Sequence, residues 1–173
     1  LVKANFADLD VVLAELGVEE VIGVLFDLGL SSLQLDEPRR GFTFRQPAPL
    51  DMRMDPSATK TAAELLNSAD AGELEKIFLD YGEERWARRI AEFVVRERQT
   101  EPIDSTQALV ATLRRAVPAH FRRGRRQHFA TRVFQALRIA VNGELRNLHL
   151  ALPKAVALLC PGARICAISY HSL

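Results

Sequence analysis

Apolar positions along the chain fall into two strand-like runs separated by a long helical stretch. Val21, Ile22, Val24, Leu25 and Phe26 form a β-branched and aromatic run without alternation, the pattern of a parallel strand covered on both faces. Arg164–Ser169 (RICAIS), entered through the turn Pro161-Gly162, is the second run and the expected sheet neighbour of the first. Ahead of them, Asn5 and Phe6 read as the end of a further strand. Asp8–Leu16 reads as a helix that places Leu9, Val12, Leu13 and Leu16 on one face before Gly17 stops it. A helix between two strands is a βαβ crossover, which predicts a parallel sheet.

The stretch from Asp27 to Ala163 is far longer than one crossover helix uses, and its periodicity is helical. Thr61–Asn67 is a short helix, and Ala71–Tyr81 carries Leu74, Ile77, Phe78 and Tyr81 on one face up to Gly82. Glu83–Gln99 turns Trp86, Ile90, Phe93 and Val94 inward, with Glu84/Arg88 and Glu92/Arg96 paired at i, i+4 on the outer face. Ser105 caps a helix to about Val117, with Leu109, Leu113 and Val117 inward and Pro118 after it. From Ala130 one long helix is expected to run past Val141, its apolar face formed by Phe134, Leu137, Val141, Leu145, Leu148 and Leu152, with a kink or restart at Pro153. The predicted fold class is α/β: a partial doubly wound, Rossmann-like sheet with an inserted all-helical subdomain.

Asp27 ends the first strand and is followed by Gly29, Ser31 and Ser32. In open α/β sheets ligands bind outside the carboxyl ends of strands, so this carboxylate and these hydroxyls stand where chemistry is expected. An Asp-Gly turn with capping serines is the alternative. The segments Arg40–Phe44 (RGFTF) and Pro49–Asp55 (PLDMRMD) are irregular and rich in functional groups, whereas most loops of compact domains run about 4–6 residues.

With DLGLSSLQLD (Asp27–Asp36), RGFTF, PLDMRMD, YGEER (Tyr81–Arg85), ATRVFQALRIAVN (Ala130–Asn142) and ISYHSL (Ile168–Leu173), the chain resembles the MraW/RsmH family along essentially its whole length. Leu33 and Phe129 stand where that family has Pro, and Pro47-Ala48 replaces an Asp-Gly pair; these departures concern loop conformation rather than reaction type. The resemblance implies a methyltransferase that moves the methyl group of S-adenosylmethionine to N4 of a cytidine in small-subunit (16S) ribosomal RNA. It places Phe6, Asp27 and Gln34 at the cofactor and Asp27, His171 and Ser172 at the reacting centre. It places Asp51, Arg53, Thr131, Arg132, Gln135, Arg138 and Asn142 on the substrate side. It also implies that residues 1–55 and 128–173 belong to the Rossmann-like methyltransferase domain and that 56–127 form the inserted helical subdomain that recognises RNA. The family's Gly-rich cofactor loop and ribose-binding acid have no counterpart here. With Leu1 in place of Met and an end directly after a strand-like run, a piece of a longer protein, inactive alone, is expected.

Taken as residues, several of these positions stay open. Phe6 also suits core packing, and His171 also suits a histidine satisfied by backbone at a strand end. Thr131, Gln135, Arg138 and Asn142 form one polar stripe on a helix, which a solvated face explains as well as a substrate face. The chemistry itself asks for a carboxylate. Cytosine N4 is a poor nucleophile because its lone pair is delocalised into the ring. An acceptor such as Asp27 on the amino group favours the pyramidal form and stabilises charge developing on nitrogen. Holding N4 in line with the methyl carbon supplies most of the remaining acceleration.

Composition narrows the classes further. With 173 residues and 48% hydrophobic content, the chain can form one sizeable core, or a core with a satellite. The 23 basic and 22 acidic residues leave a net charge of +1, yet Arg114, Arg115, Arg122, Arg123, Arg125, Arg126 and Arg132 concentrate in one segment. That segment is either a solvated charge run or, with the resemblance, a phosphate-contacting surface for ribosomal RNA or the small ribosomal subunit. No apolar run nears the roughly 20 residues of a membrane span, and no signal peptide is visible. Cys160 and Cys166 lack metal spacing and are expected as reduced core or near-core thiols. No metal site or nucleophilic triad is expected, and a cytoplasmic setting fits. The oligomeric state, a homodimer included, is open. Two rival functions remain: a non-catalytic RNA-binding module whose strand-end residues are structural, and an amino-methyltransferase acting on DNA or protein.

Overall fold

A computed structural model describes residues 1–122 and 128–170. In chain order its elements are α1 (Leu9–Glu15), β1 (Val21–Asp27), α2 (Ser32–Asp36), α3 (Ala62–Ser68), α4 (Ala71–Asp80), α5 (Ala87–Glu97), α6 (Thr106–Ala116), α7 (Ala119–Arg122), α8 (Thr131–Asn142), α9 (Glu144–Ala157) and β2 (Leu159–Ile168). Short 3₁₀ turns occupy Phe6–Asp8 and Pro38–Arg40. The chain divides into two compact units, one of Leu1–Leu30 with Gly143–Leu173 and one of Ser31–Asn142.

In the first unit β1 and β2 pair in parallel, as their apolar runs predict, with Val24 opposite Ile165, Leu25 opposite Cys166 and Asp27 opposite Ile168. The register shifts between Val21 and Gly23, which face Leu159 and Arg164, so Pro161-Gly162 falls in the irregular part of the ladder, where a residue without an N–H is tolerated. Phe26, Ala151 and Ala155 are buried together, and Leu9, Val24, Leu28, Leu148 and Ile165 pack around them. Alanines on α9 let the helix approach the strands closely. Lys154 Nζ then donates to Ala7 O (2.7 Å) and Asp10 Oδ1 (2.8 Å), tying α9 to the N-terminal turn and to α1.

Only one face of β1 is covered, which corrects the expectation of a strand buried on both sides. Leu25 is 64% exposed, because the layer packed on the strands among the described residues lies on the side of Val24 and Phe26. Cys166, opposite Leu25, is likewise exposed rather than a core thiol, while Cys160 is half-buried. The strand end expected at Asn5-Phe6 is instead a capped turn. The Asn5 side chain accepts the Ala7 N–H at 2.9 Å, a local bond that competes with extended backbone.

The second unit is helical. Leu66, Leu74, Phe78, Ile90, Val94, Leu109, Leu113, Val133 and Leu137 are fully buried, each worth about 1.5–3 kcal/mol of transfer free energy. Start signals in the sequence are used as such. Thr61 and Glu64 form a capping box on α3, Asp70 accepts the Glu73 N–H at α4, and Ser105 accepts the Ala108 N–H at α6. Helix α5 begins at Ala87 rather than Glu83. Glu84 therefore lies ahead of the helix, buried, with Oε1 accepting the Trp86 N–H at 2.9 Å, and Arg88 pairs with Glu92 instead (3.1 Å). Arg96 sits over the Phe93 ring at 4.1 Å and reaches Glu97. The long helix expected from Ala130 is two helices. Gly143, with φ 59°, ends α8, and Pro153 lies inside α9 without breaking it. Glycine takes the left-handed conformation without the Cβ penalty, so it is the cheaper place to stop a helix.

Candidate functional site

The stretch after β1 is more regular than its composition predicts. Ser31 Oγ accepts the Gln34 N–H (3.3 Å) and Gln34 Oε1 accepts the Ser31 N–H (2.9 Å), a capping box on α2. Ser31 thus caps a helix that Ser32 begins, and the Gln34 amide oxygen is committed to that cap.

In the first unit the strand ends leave Asp27 in the open. It is the last residue of β1, exposed, and the next N–H, from Leu28, donates to Ile168 O at 3.0 Å. Its carboxylate makes no hydrogen bond or ion pair among the described residues. Phe6 is 39% exposed and lies edge-on to Phe26, with centroids 5.9 Å apart. A partly accessible ring and an unpartnered carboxylate therefore share the carboxyl end of β1. His171 and Ser172 lie outside the described residues, as do Arg123, Arg125 and Arg126.

In the second unit the PLDMRMD loop is held from both sides. Arg40 Nη2 donates to Arg53 O and Met54 O, both at 2.8 Å, and Arg40 O accepts the Met52 N–H at 2.9 Å. Leu50 and Met52 anchor the loop in the core, Met52 in the left-handed region at φ 61°. From α8, Asn142 Nδ2 donates to Met52 O (2.8 Å) while its Oδ1 accepts the Met54 N–H (2.6 Å). About two and three turns back, Gln135 Nε2 donates to Tyr81 O (3.3 Å) and Arg132 Nη1 to Glu83 O (2.7 Å). The polar side of α8 accordingly grips two motif loops, PLDMRMD and YGEER. Thr131 opens the helix, its N–H donating to His128 O at 3.0 Å, and Arg138 O accepts a second bond from Asn142.

Asp51 and Arg53 form a forked pair, Nε to Oδ1 at 2.8 Å and Nη2 to Oδ2 at 2.7 Å. Arg53 Nη1 goes on to Pro56 O and Ala58 O (2.9 and 2.7 Å). The Arg53 hydrogen bond holds the Asp51 carboxyl below its usual value near 3.8, against the opposing effect of burial. A lowered carboxyl stabilises the fold above the usual range and stops doing so as pH falls through the lowered value. Asp51→Asn is therefore expected to lose roughly 1–2 kcal/mol at neutral pH, allowing for partial exposure. The gap to the parent should close as pH falls below 3.8. Urea unfolding across that range measures it, and a gap independent of pH would mean that the carboxylate's charge contributes nothing.

His128, just before α8, stacks on Phe44 at 4.6 Å, and Phe44 meets Phe134 edge-on. Its Nδ1 accepts the Ala130 N–H at 3.2 Å, an arrangement open only to an unprotonated Nδ1. Burial first, and then Arg114, lower its proton affinity in the same sense. Arg40, not among the residues singled out from the sequence, opens the five-residue RGFTF motif and ties it to the PLDMRMD loop through two consecutive carbonyls; the Arg-Gly pair was the available signal. Among the described residues no cluster of three His, Cys, Asp or Glu side chains could hold a metal ion, and no helix is long and apolar enough to cross a membrane.

Parallel strands packed on a helix, with a separate helical unit, make this a mixed α/β protein. The chain belongs to the MraW methylase family, which it matches over residues 1–173. It is 53% identical over 174 residues to ribosomal RNA small subunit methyltransferase H of Heliobacterium modesticaldum, covering 100% of the chain and 55% of that relative. The proteins of the same name from Mycolicibacterium smegmatis and Thermobifida fusca are 53% and 51% identical over 173 residues, with 46% and 52% of their lengths covered. The chain spans about half the length of the curated relatives it matches.

Proposed function

We propose that the complete protein transfers the methyl group of S-adenosylmethionine to N4 of a cytidine in small-subunit ribosomal RNA, in the cytoplasm. The observation that carries this reading is Asp27, an exposed carboxylate without a partner among the described residues, at the carboxyl end of a parallel strand, in a chain of the MraW methylase family. The residues suit the cofactor: the Phe6 ring can pack on a purine and the carboxylate can face a cationic group. When bound, S-adenosylmethionine supplies an already activated methyl group on a sulfonium.

Asp27 accepts a hydrogen bond from the cytosine amino group, keeps the nitrogen lone pair out of the ring and stabilises the positive charge that grows on N4. Phe6 and Gln34 orient the cofactor; His171 and Ser172 contact the target nucleotide. Asp51, Arg53, Thr131, Arg132, Gln135, Arg138 and Asn142 shape the surface that receives RNA, chiefly by fixing the two motif loops. Residues 1–55 and 128–173 belong to a doubly wound, Rossmann-like domain, and 56–127 form a helical insert that docks RNA.

Incubating the complete protein with small ribosomal subunits and methyl-labelled cofactor tests this. Label recovered as N4-methylcytidine is expected. Label on another nucleoside or on protein would move the reading to a different amino-methyltransferase, and RNA binding without transfer would leave a binding module.

A further inference from the structure

We propose that the cleft on α5 lined by Arg85, Trp86, Arg88, Arg89 and Glu92 is a stacking subsite for one unpaired nucleobase of RNA and its phosphate. The inference rests on the RNA-docking role of the helical insert and adds where, and by what chemistry, a nucleotide is gripped. The heptad-like pattern of α5 places Trp86 among core positions, but it lies before the first residue of the helix and is only partly buried. Its indole forms a wall of a cleft of about 280 Å³, near the small end of ligand sites and suited to a single base.

The wall is braced rather than loose. Phe121 meets Trp86 edge-on, with centroids 5.2 Å apart, and the Arg85 guanidinium lies over both rings, 5.8 Å from Trp86 and 5.0 Å from Phe121. The other arginines are fixed by their own partners: Arg89 Nε donates to Ala116 O at 2.7 Å, and Arg88 pairs with Glu92. Arg85 makes no hydrogen bond among the described residues. Its N–H donors are free for an incoming anion. Three guanidiniums face one carboxylate in this cleft, an excess of positive charge beside a flat aromatic surface. An acidic peptide would use the charge and leave the indole idle, whereas a nucleotide uses both, the base on indole or guanidinium plane and the phosphate on the N–H donors.

Trp86 is the single tryptophan of the chain, so its emission reports the site directly. Titrating the 173-residue chain with a short single-stranded oligocytidylate is expected to quench that emission, and RNA duplex of equal charge is not. Trp86→Leu should weaken binding of a labelled oligocytidylate on the order of 10-fold, the scale of one lost stacking contact, while Trp86→Phe should restore most of it. Arg85→Lys, which keeps the charge but not the plane, should also weaken binding; Arg85 is exposed, so this variant tests the site even if Trp86→Leu melts early. Binding with unchanged emission, and with parent affinity in Arg85→Lys, overturns the subsite and leaves RNA docking elsewhere on the insert. A chain that binds no RNA overturns both.

Discussion

Asp27→Asn in the complete protein is expected to slow methyl transfer on the order of 100-fold, the scale of removing one electrostatic partner from a transition state. The substitution keeps size and shape and removes the charge. Because the carboxylate is exposed and makes no hydrogen bond or ion pair among the described residues, nothing in the fold should answer the change, and the melting temperature should stay at the parent value. RNA affinity should also hold, since the carboxylate matters most when positive charge has begun to form on N4. Single-turnover transfer at saturating cofactor and RNA isolates the step. A rate within about threefold of the parent, barely half a kcal/mol of barrier, would reduce Asp27 to a residue that ends a strand.

Gly41→Ala is expected to destabilise the chain by roughly 2–4 kcal/mol. Gly41 has φ 70°, a conformation that costs other residues about 1–3 kcal/mol. A Cβ there would also run into the Pro49 carbonyl and come within 2.8 Å of the Asp51 nitrogen. Both are backbone, so neither can swing aside. The strand of loop that would have to move carries Leu50 and Met52, which are buried, and the Asp51–Arg53 pair. Equilibrium urea unfolding of Gly41→Ala against the parent measures the cost; a loss under about 0.5 kcal/mol, the range of an ordinary surface change, would mean the loop relaxes freely. Transfer activity in the surviving folded fraction should fall as well, because the motif loop is displaced.

Read from residues alone, the local elements were largely legible. The run at Val21–Phe26 and the run at Arg164–Ser169 paired as their composition predicted, and Thr61, Ser105 and the apolar positions of α4 and α6 marked helices that formed with nearly those bounds. These signals are local: side-chain caps, apolar period and β-branching act within a few residues, so the chain carries them wherever it packs. The identity of the motif segments was legible for a different reason, since they match a family over the whole chain.

Long-range choices were not legible. Whether Glu84 would pair along a helix or bind the backbone ahead of it depended on where α5 began, and the break between α8 and α9 fell at Gly143 although Pro153 was the stronger breaker on paper. The polar stripe of α8 suited a solvated face and a substrate face equally until Met52, Met54, Tyr81 and Glu83 were brought to that helix by chain far away in sequence. Arg40, reaching Arg53 O and Met54 O, became visible as an organiser only then. The sequence by itself determined which segments are strand, helix and motif, because hydrogen-bonding and apolar preferences are set residue by residue. Only the tertiary structure decided which carboxylates and guanidiniums are spent on the fold, like Asp51 and Arg53, and which, like Asp27 and Arg85, make no hydrogen bond or ion pair among the described residues, because a polar group's partner is fixed by packing between distant parts of the chain.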